Sequence, residues 1–119
     1  MIAHVVLFTP LSSLGPADRR AVIDALEAAC HDIPQIRRAR VGRRRVLGYN
    51  YDDASPAHFE FALVLEFDSV EDLDAYLRHP SHTALGRLFH TATERALAHD
   101  FEIVDAADTG AVVRLAALD

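Results

Sequence analysis

The sequence contains no lysine; all 12 of its basic residues are arginine. A Schiff-base lysine or a phosphate-loop lysine is therefore excluded as the centre of its chemistry. Cysteine is nearly absent too. Cys30 stands alone, so no intrachain disulfide forms, and zinc-ribbon or iron–sulfur sites built on several thiolates are ruled out. A single thiol suits a reducing compartment, and the expected location is cytoplasmic. The opening Met1-Ile2-Ala3-His4-Val5 has neither a basic start nor a signal-type cleavage site, so export is not expected. No apolar run approaches the ~20 residues that span a bilayer, and no membrane partner is expected. Internal repeats and low-complexity segments are missing as well.

What is present suits one globular domain. Of the 119 residues, 50% are hydrophobic and 25% charged, enough for a core and an ordinary surface. A net charge of −6 argues against general nucleic-acid binding. Positive charge is nonetheless concentrated. Arg37, Arg38, Arg40, Arg43, Arg44 and Arg45 fall together with no acid among them. Arginine forks such as those of Arg43 and Arg45 match the carboxylate or phosphate of a ligand. The alternative is a charged edge strand that resists aggregation and pairs across to Glu60 and Glu66. Aromatic residues are not interleaved with these arginines, so RNA stacking is not expected.

Hydrophobic periodicity supplies the elements. Ile2 to Phe8 is apolar on both faces and reads as a strand covered on both sides. Pro16 opens a helix whose buried face carries Val22, Leu26, Ala29 and Cys30, closing at Asp32 to Pro34. Ile36 to Tyr49 is strand-like, and Asn50 to Pro56 is a loop. His58 to Phe67 alternates cleanly, with Phe59, Phe61, Leu63, Leu65 and Phe67 on one face. Ser69 caps the next helix, with Asp72 three residues on. Pro80 ends it and opens another, whose buried face runs Leu85, Phe89, Ala92 and Ala96. Phe101 to Val104 is a final strand. This order, β-α-β-β-α(α)-β, predicts an α+β fold: a ferredoxin-like βαββαβ protomer with an antiparallel four-stranded sheet and helices on one face. The other face must then bury the second set of strand side chains, Ile2, Val6 and Phe8 or the opposite register. The simplest cover is a homodimer through sheet-to-sheet packing. The domain spans 1–105 and a C-terminal extension 106–119. Val112, Val113 and Leu115 in that extension suggest a strand added to the partner's sheet; the alternative is a frayed end.

Three segments together carry a resemblance. They are His4-Val5-Val6-Leu7-Phe8, Tyr76-Leu77-Arg78-His79-Pro80-Ser81-His82 and Asp100-Phe101-Glu102. This pattern resembles the stress-responsive A/B barrel domain (Dabb) family over roughly Ile2 to Ile103. The resemblance implies a ferredoxin-like protomer that dimerises into an α+β barrel. One branch of the family, a plant polyketide cyclase, uses a Tyr and a His in a cavity beside the sheet. Carried over residue by residue, these fall on Tyr76 and His82, with a first-strand His on His4. The sequence departs from that branch in a longer Arg43–Ala57 stretch and an added tail, so the substrate does not carry over.

His82, Tyr76 and His4 are accordingly the candidate catalytic residues. A neutral histidine accepts a proton near pH 7, and a tyrosine hydroxyl donates to a developing oxyanion, which together suit cofactor-independent proton transfer. His79 shares a helix face with Tyr76 and, with Arg43 and Arg45, is a candidate ligand-binding residue. The alternative gives these side chains structural tasks: His79-Pro80 as a helix stop, His82 bonded to a carbonyl, Tyr76 packed on the sheet. The His79-x-x-His82 spacing is interrupted by Pro80 and lacks a third ligand, so neither metal nor cofactor is expected. Three functions remain open. The first is a dimer that binds a small molecule in a cavity beside the sheet, with cyclase-like proton transfer as its enzymatic form. The second is a stress-associated structural protein without chemistry. The third is a cofactor-free monooxygenase, on fold analogy alone.

Overall fold

The structure, a computed structural model, describes residues 1–117. Strand β1 spans Ile2–Pro10, helix α1 Pro16–Asp32 and strand β2 Arg38–Arg43. A one-turn helix α2 (Asn50–Asp53) precedes strand β3 (Phe61–Phe67). Helices α3 (Val70–Arg78) and α4 (Pro80–Ala92), strand β4 (Thr93–Glu102) and helix α5 (Thr109–Ala116) complete the order. The strands form one antiparallel sheet in the order β2-β3-β1-β4, the ferredoxin-like arrangement.

Register sorts the side chains. Val6 lies opposite Leu63 and Ala98, and His4 opposite Leu65 and Asp100, so these share one face. That face meets the helices: Val6, Leu63, Leu65 and Phe67 pack with Ala29 and Ile33 of the α1 end, Leu73 and Tyr76 of α3 and Leu85 of α4. Leu65 and Phe67 are fully enclosed. The opposite register, Ala3, Val5 and Leu7 with Ala62, Val64, Leu97 and Phe101, points outward. Helix ends follow the sequence signals. The Ser69 hydroxyl accepts from the Asp72 backbone N–H at 3.1 Å, and Pro16 and Pro80 each open a helix.

Five expectations are corrected, the first being that β3 starts at Phe61 and not at His58, which leaves Phe59 outside the strand. β4 starts at Thr93, eight residues before the expected Phe101, and Ala96 lies on it instead of on α4. The Glu-Arg-Ala-Leu-Ala run has helical propensity and no Gly or Pro marks the change, but pairing with central β1 overrides that preference. β2 is only six residues long, because its partner β3 begins at Phe61 opposite Arg43. Beyond it, the Asp52 carboxylate accepts from the Leu47 and Gly48 N–H groups and pairs with Arg44, holding a loop that includes α2. Gly48 turns there at a φ of +85°, open to glycine at no steric cost. Val112, Val113 and Leu115 lie on helix α5, not on a strand, started by the Asp108 side chain accepting from Ala111 N–H; Leu118 lies outside the described residues. Cys30 is half-buried, unlike its neighbour Ala29, which is enclosed.

Phe67→Ala is expected to destabilise the fold by about 3–5 kcal/mol, because its site cannot collapse around the lost ring. Ser69→Ala is expected to cost only about 1 kcal/mol. Urea unfolding of both variants checks this; equal losses would contradict the assignment of Phe67 to the core.

Candidate active site

The break between α3 and α4 builds the site. Proline has no N–H, so the Tyr76 carbonyl cannot receive the usual helical bond from residue 80. It accepts instead from His79 N–H at 3.1 Å. The Ser81 N–H, which a continuous helix would give to the Leu77 carbonyl, goes to Nδ1 of His79 at 3.1 Å. The Leu77 carbonyl is thereby left for His82, whose Nδ1 lies 3.0 Å away. A carbonyl only accepts, so Nδ1 of His82 carries the proton and Nε2 of the neutral ring keeps a free lone pair.

His82 faces Tyr76 with ring centroids 4.7 Å apart, and Tyr76 faces His4 at 5.8 Å. Tyr76 is enclosed, its ring also against Phe67 at 5.2 Å. Burial first, and then the neighbouring Cys30, push its hydroxyl up to about 12, so it keeps its proton at neutral pH. Burial also lowers His82 below the ordinary histidine value; the Leu77 carbonyl opposes this and nearby His4 adds to it. His4 is itself buried, and its Nδ1 lies 2.5 Å from a carboxylate oxygen of Asp100 on the adjoining strand. The carboxylate accepts, which orients the imidazole as a base is oriented in hydrolytic triads.

These three side chains line one cleft of about 640 Å³ between the sheet and helices α1, α3 and α4. Its other walls are mainly apolar, among them Val6, Phe8, Leu26, Leu85 and Phe89. The volume is that of a site for a small organic molecule. Among the described residues no three His, Cys, Asp or Glu side chains gather to hold a metal ion.

The other candidates lie elsewhere. His79 is spent as a helix cap between α3 and α4 and does not line the cleft. Arg43 sits on the exposed edge strand with Glu60, 3.2 Å away, and over Phe61. Arg45 is exposed on the following loop, also outside the cleft. The remaining cluster is largely neutralised across the sheet edge, Arg37 by Asp68 and Arg38 and Arg40 by Glu66. Asp100 is the residue that sequence reasoning missed. With the last strand started at Phe101 it fell outside the sheet, and only the full register shows it opposite His4.

The family model described as stress-responsive A/B barrel domain (Dabb) matches residues 2–103. The chain belongs to this family. Several solved structures share its fold. A dimeric ferredoxin-like protein of unknown function from Bacteroides fragilis is 26% identical with a TM-score of 0.60, covering 86% of this chain and 95% of its own. One from Thermobifida fusca is 25% identical with a TM-score of 0.66, covering 86% and 90%. A hydroxynitrile lyase from Passiflora edulis is 20% identical with a TM-score of 0.73, covering 88% and 94%. No curated protein matches the chain. No helix among the described residues of this Dabb chain is long and apolar enough to cross a membrane.

His82 should titrate below ~6.5, the value of a free histidine. As pH falls the unfolded chain takes up this proton first, so the His82 contribution lowers stability below that value and raises it as pH climbs back. NMR titration of the ring protons checks the first statement. Urea midpoints from pH 5 to 8 check the second, and the slope should shrink in His82→Gln. A His82 value above the free one would contradict the assigned burial.

Proposed function

We propose that this chain acts as a homodimer whose cleft binds a small carbonyl compound and moves a proton on it without a cofactor, His82 being the base. The observation that carries the proposal is the tautomer of His82, a residue that lines the cleft: Nδ1–H is held by the Leu77 carbonyl, which leaves Nε2 its lone pair. In the proposed step Nε2 takes a proton from the carbon next to the carbonyl. The C–H electron pair moves into an enolate, and its oxygen accepts a hydrogen bond from the still protonated Tyr76 hydroxyl. His4, oriented by Asp100, supports the same end of the cleft by hydrogen bonding. The enolate then regains a proton from His82, or its carbon attacks a second carbonyl, whose π pair moves to oxygen; that alkoxide takes the proton held on His82, which returns the base to its neutral form. That a hydroxynitrile lyase is built on this fold supports an enzymatic reading of the cleft, though it does not supply the substrate.

The dimer has its own support. The outward face carries Val5, Leu7, Val64 and Leu97, with Phe101 half exposed. The chain is flat, 48 × 39 × 21 Å, and its radius of gyration of 16.1 Å exceeds the ~13.5 Å of a compact domain of this length. A second sheet laid on the apolar face would restore an ordinary two-sided core. The Bacteroides and Thermobifida relatives are dimeric, and the same pairing is proposed here.

Two measurements test the proposal. In D2O, the protein should speed deuterium uptake at the acidic CH2 of 1-phenyl-1,3-butanedione, read by NMR. His82→Ala should lose this by about 10²–10⁴-fold. No acceleration by the wild type over buffer, for this and other aryl ketones, would favour a structural role instead. Light scattering should give a dimer at micromolar concentration, and Val64→Arg, placing a charge in the middle of the outward face, should give a monomer. A monomeric wild type would sink the dimer.

A further inference from the structure

We infer that Gly86 sets the width of the cleft one helical turn beyond His82, and so selects ligands that carry a flat apolar group at that distance from the reacting atoms. The inference rests on reading the cleft as a binding site. α4 presents His82, Leu85, Gly86, Phe89 and His90 to the cleft, the spacing of one helix face. Gly86 is near the middle of this 13-residue helix, where glycine is unfavourable relative to alanine because of the backbone freedom it loses.

The usual reasons for keeping a glycine in a helix do not apply. Gly86 has no positive φ; among the described residues only Gly48 does. No neighbouring element presses on it, since a Cβ built there would meet nothing within 4 Å. An alanine would fit the folded chain without displacing anything. What the missing side chain leaves is open space at an exposed position of the cleft wall, on the helix that also brings Leu85 and Phe89 to it. Gly86 lies four residues along the helix from His82, a rise of ~6 Å along the axis. A small planar ligand with its hydroxyl at His82 would lay its first ring against Tyr76 and Leu85 and its far ring over Gly86. A side chain at position 86 would take the place of that far ring.

Phenol and 2-naphthol serve as probes, one ring against two, each with one hydroxyl. Binding is measured by NMR and by 2-naphthol fluorescence to the wild type, Gly86→Ala, Gly86→Leu and His82→Ala. Gly86→Ala should raise the Tm by about 3–5 °C through helix propensity alone and weaken 2-naphthol a few-fold. Gly86→Leu should weaken 2-naphthol tenfold or more and leave phenol within about twofold. His82→Ala should weaken both. If 2-naphthol binds Gly86→Ala and Gly86→Leu as it binds the wild type while His82→Ala weakens both probes, the role of Gly86 is overturned and the site reading stands. If neither probe binds the wild type, or His82→Ala changes nothing, the site reading fails and the inference with it. The alanine variant, expected to be more stable than the wild type, keeps the test valid should the leucine variant fold poorly.

Discussion

The hydrogen bond that proline cannot make at position 80 organises the site. Because Pro80 interrupts the helical ladder, the carbonyl of Leu77 is released from backbone duty and meets Nδ1 of His82 at 3.0 Å. The same interruption turns His79 into the cap of α4, 3.1 Å from the Ser81 N–H, and removes it from the cleft. One missing N–H thus decides which of two neighbouring histidines is structural and which has a free nitrogen. In an unbroken helix the roles would not separate in this way.

The sheet supplies the second constraint. Strict alternation along β1 puts His4 and Val6 toward the helices and Val5 and Leu7 away from them. A polar residue on the inward face is expensive unless it is bonded. Asp100, arriving opposite on β4, meets that need for His4. The inward face therefore holds a core at the β3 side and a lined cleft at the β4 side. The outward face is left with an apolar centre of Val5, Leu7, Val64 and Leu97, bordered by His99 and the Glu66 ion pairs, and that centre is the physical case for a second copy.

Much of this was legible in the sequence, because the signals were local. Ser69 with Asp72, Pro16 and Pro80, and the alternation from Leu63 to Phe67 each name an element without reference to the rest of the chain. The cleft residues His4, Tyr76 and His82 were also legible, through the resemblance and the residue types. What failed was non-local. The start of β4 is set by pairing with β1, against the helical propensity of Glu94 to Ala98, so Asp100 was not recognised as a partner of His4. The end of β2 is set by where β3 begins. The division of labour between His79 and His82 depends on which backbone groups Pro80 leaves unpaired, and no residue pattern states that. Arg43 and Arg45 suggested a ligand by their charge, but the fold places them on an exposed edge and its following loop, outside the cleft.

The central claim is that neutral His82 carries its proton on Nδ1 and turns a bare Nε2 toward the cleft. Imidazole nitrogen shifts of ¹⁵N-labelled protein, measured at a pH where the ring is neutral, test it directly. A protonated Nδ1 and an unprotonated Nε2 for His82, unchanged in a Tyr76→Phe control, is the predicted result. An Nε2–H tautomer would contradict the account, because the Leu77 carbonyl would then have no donor and the cleft no base.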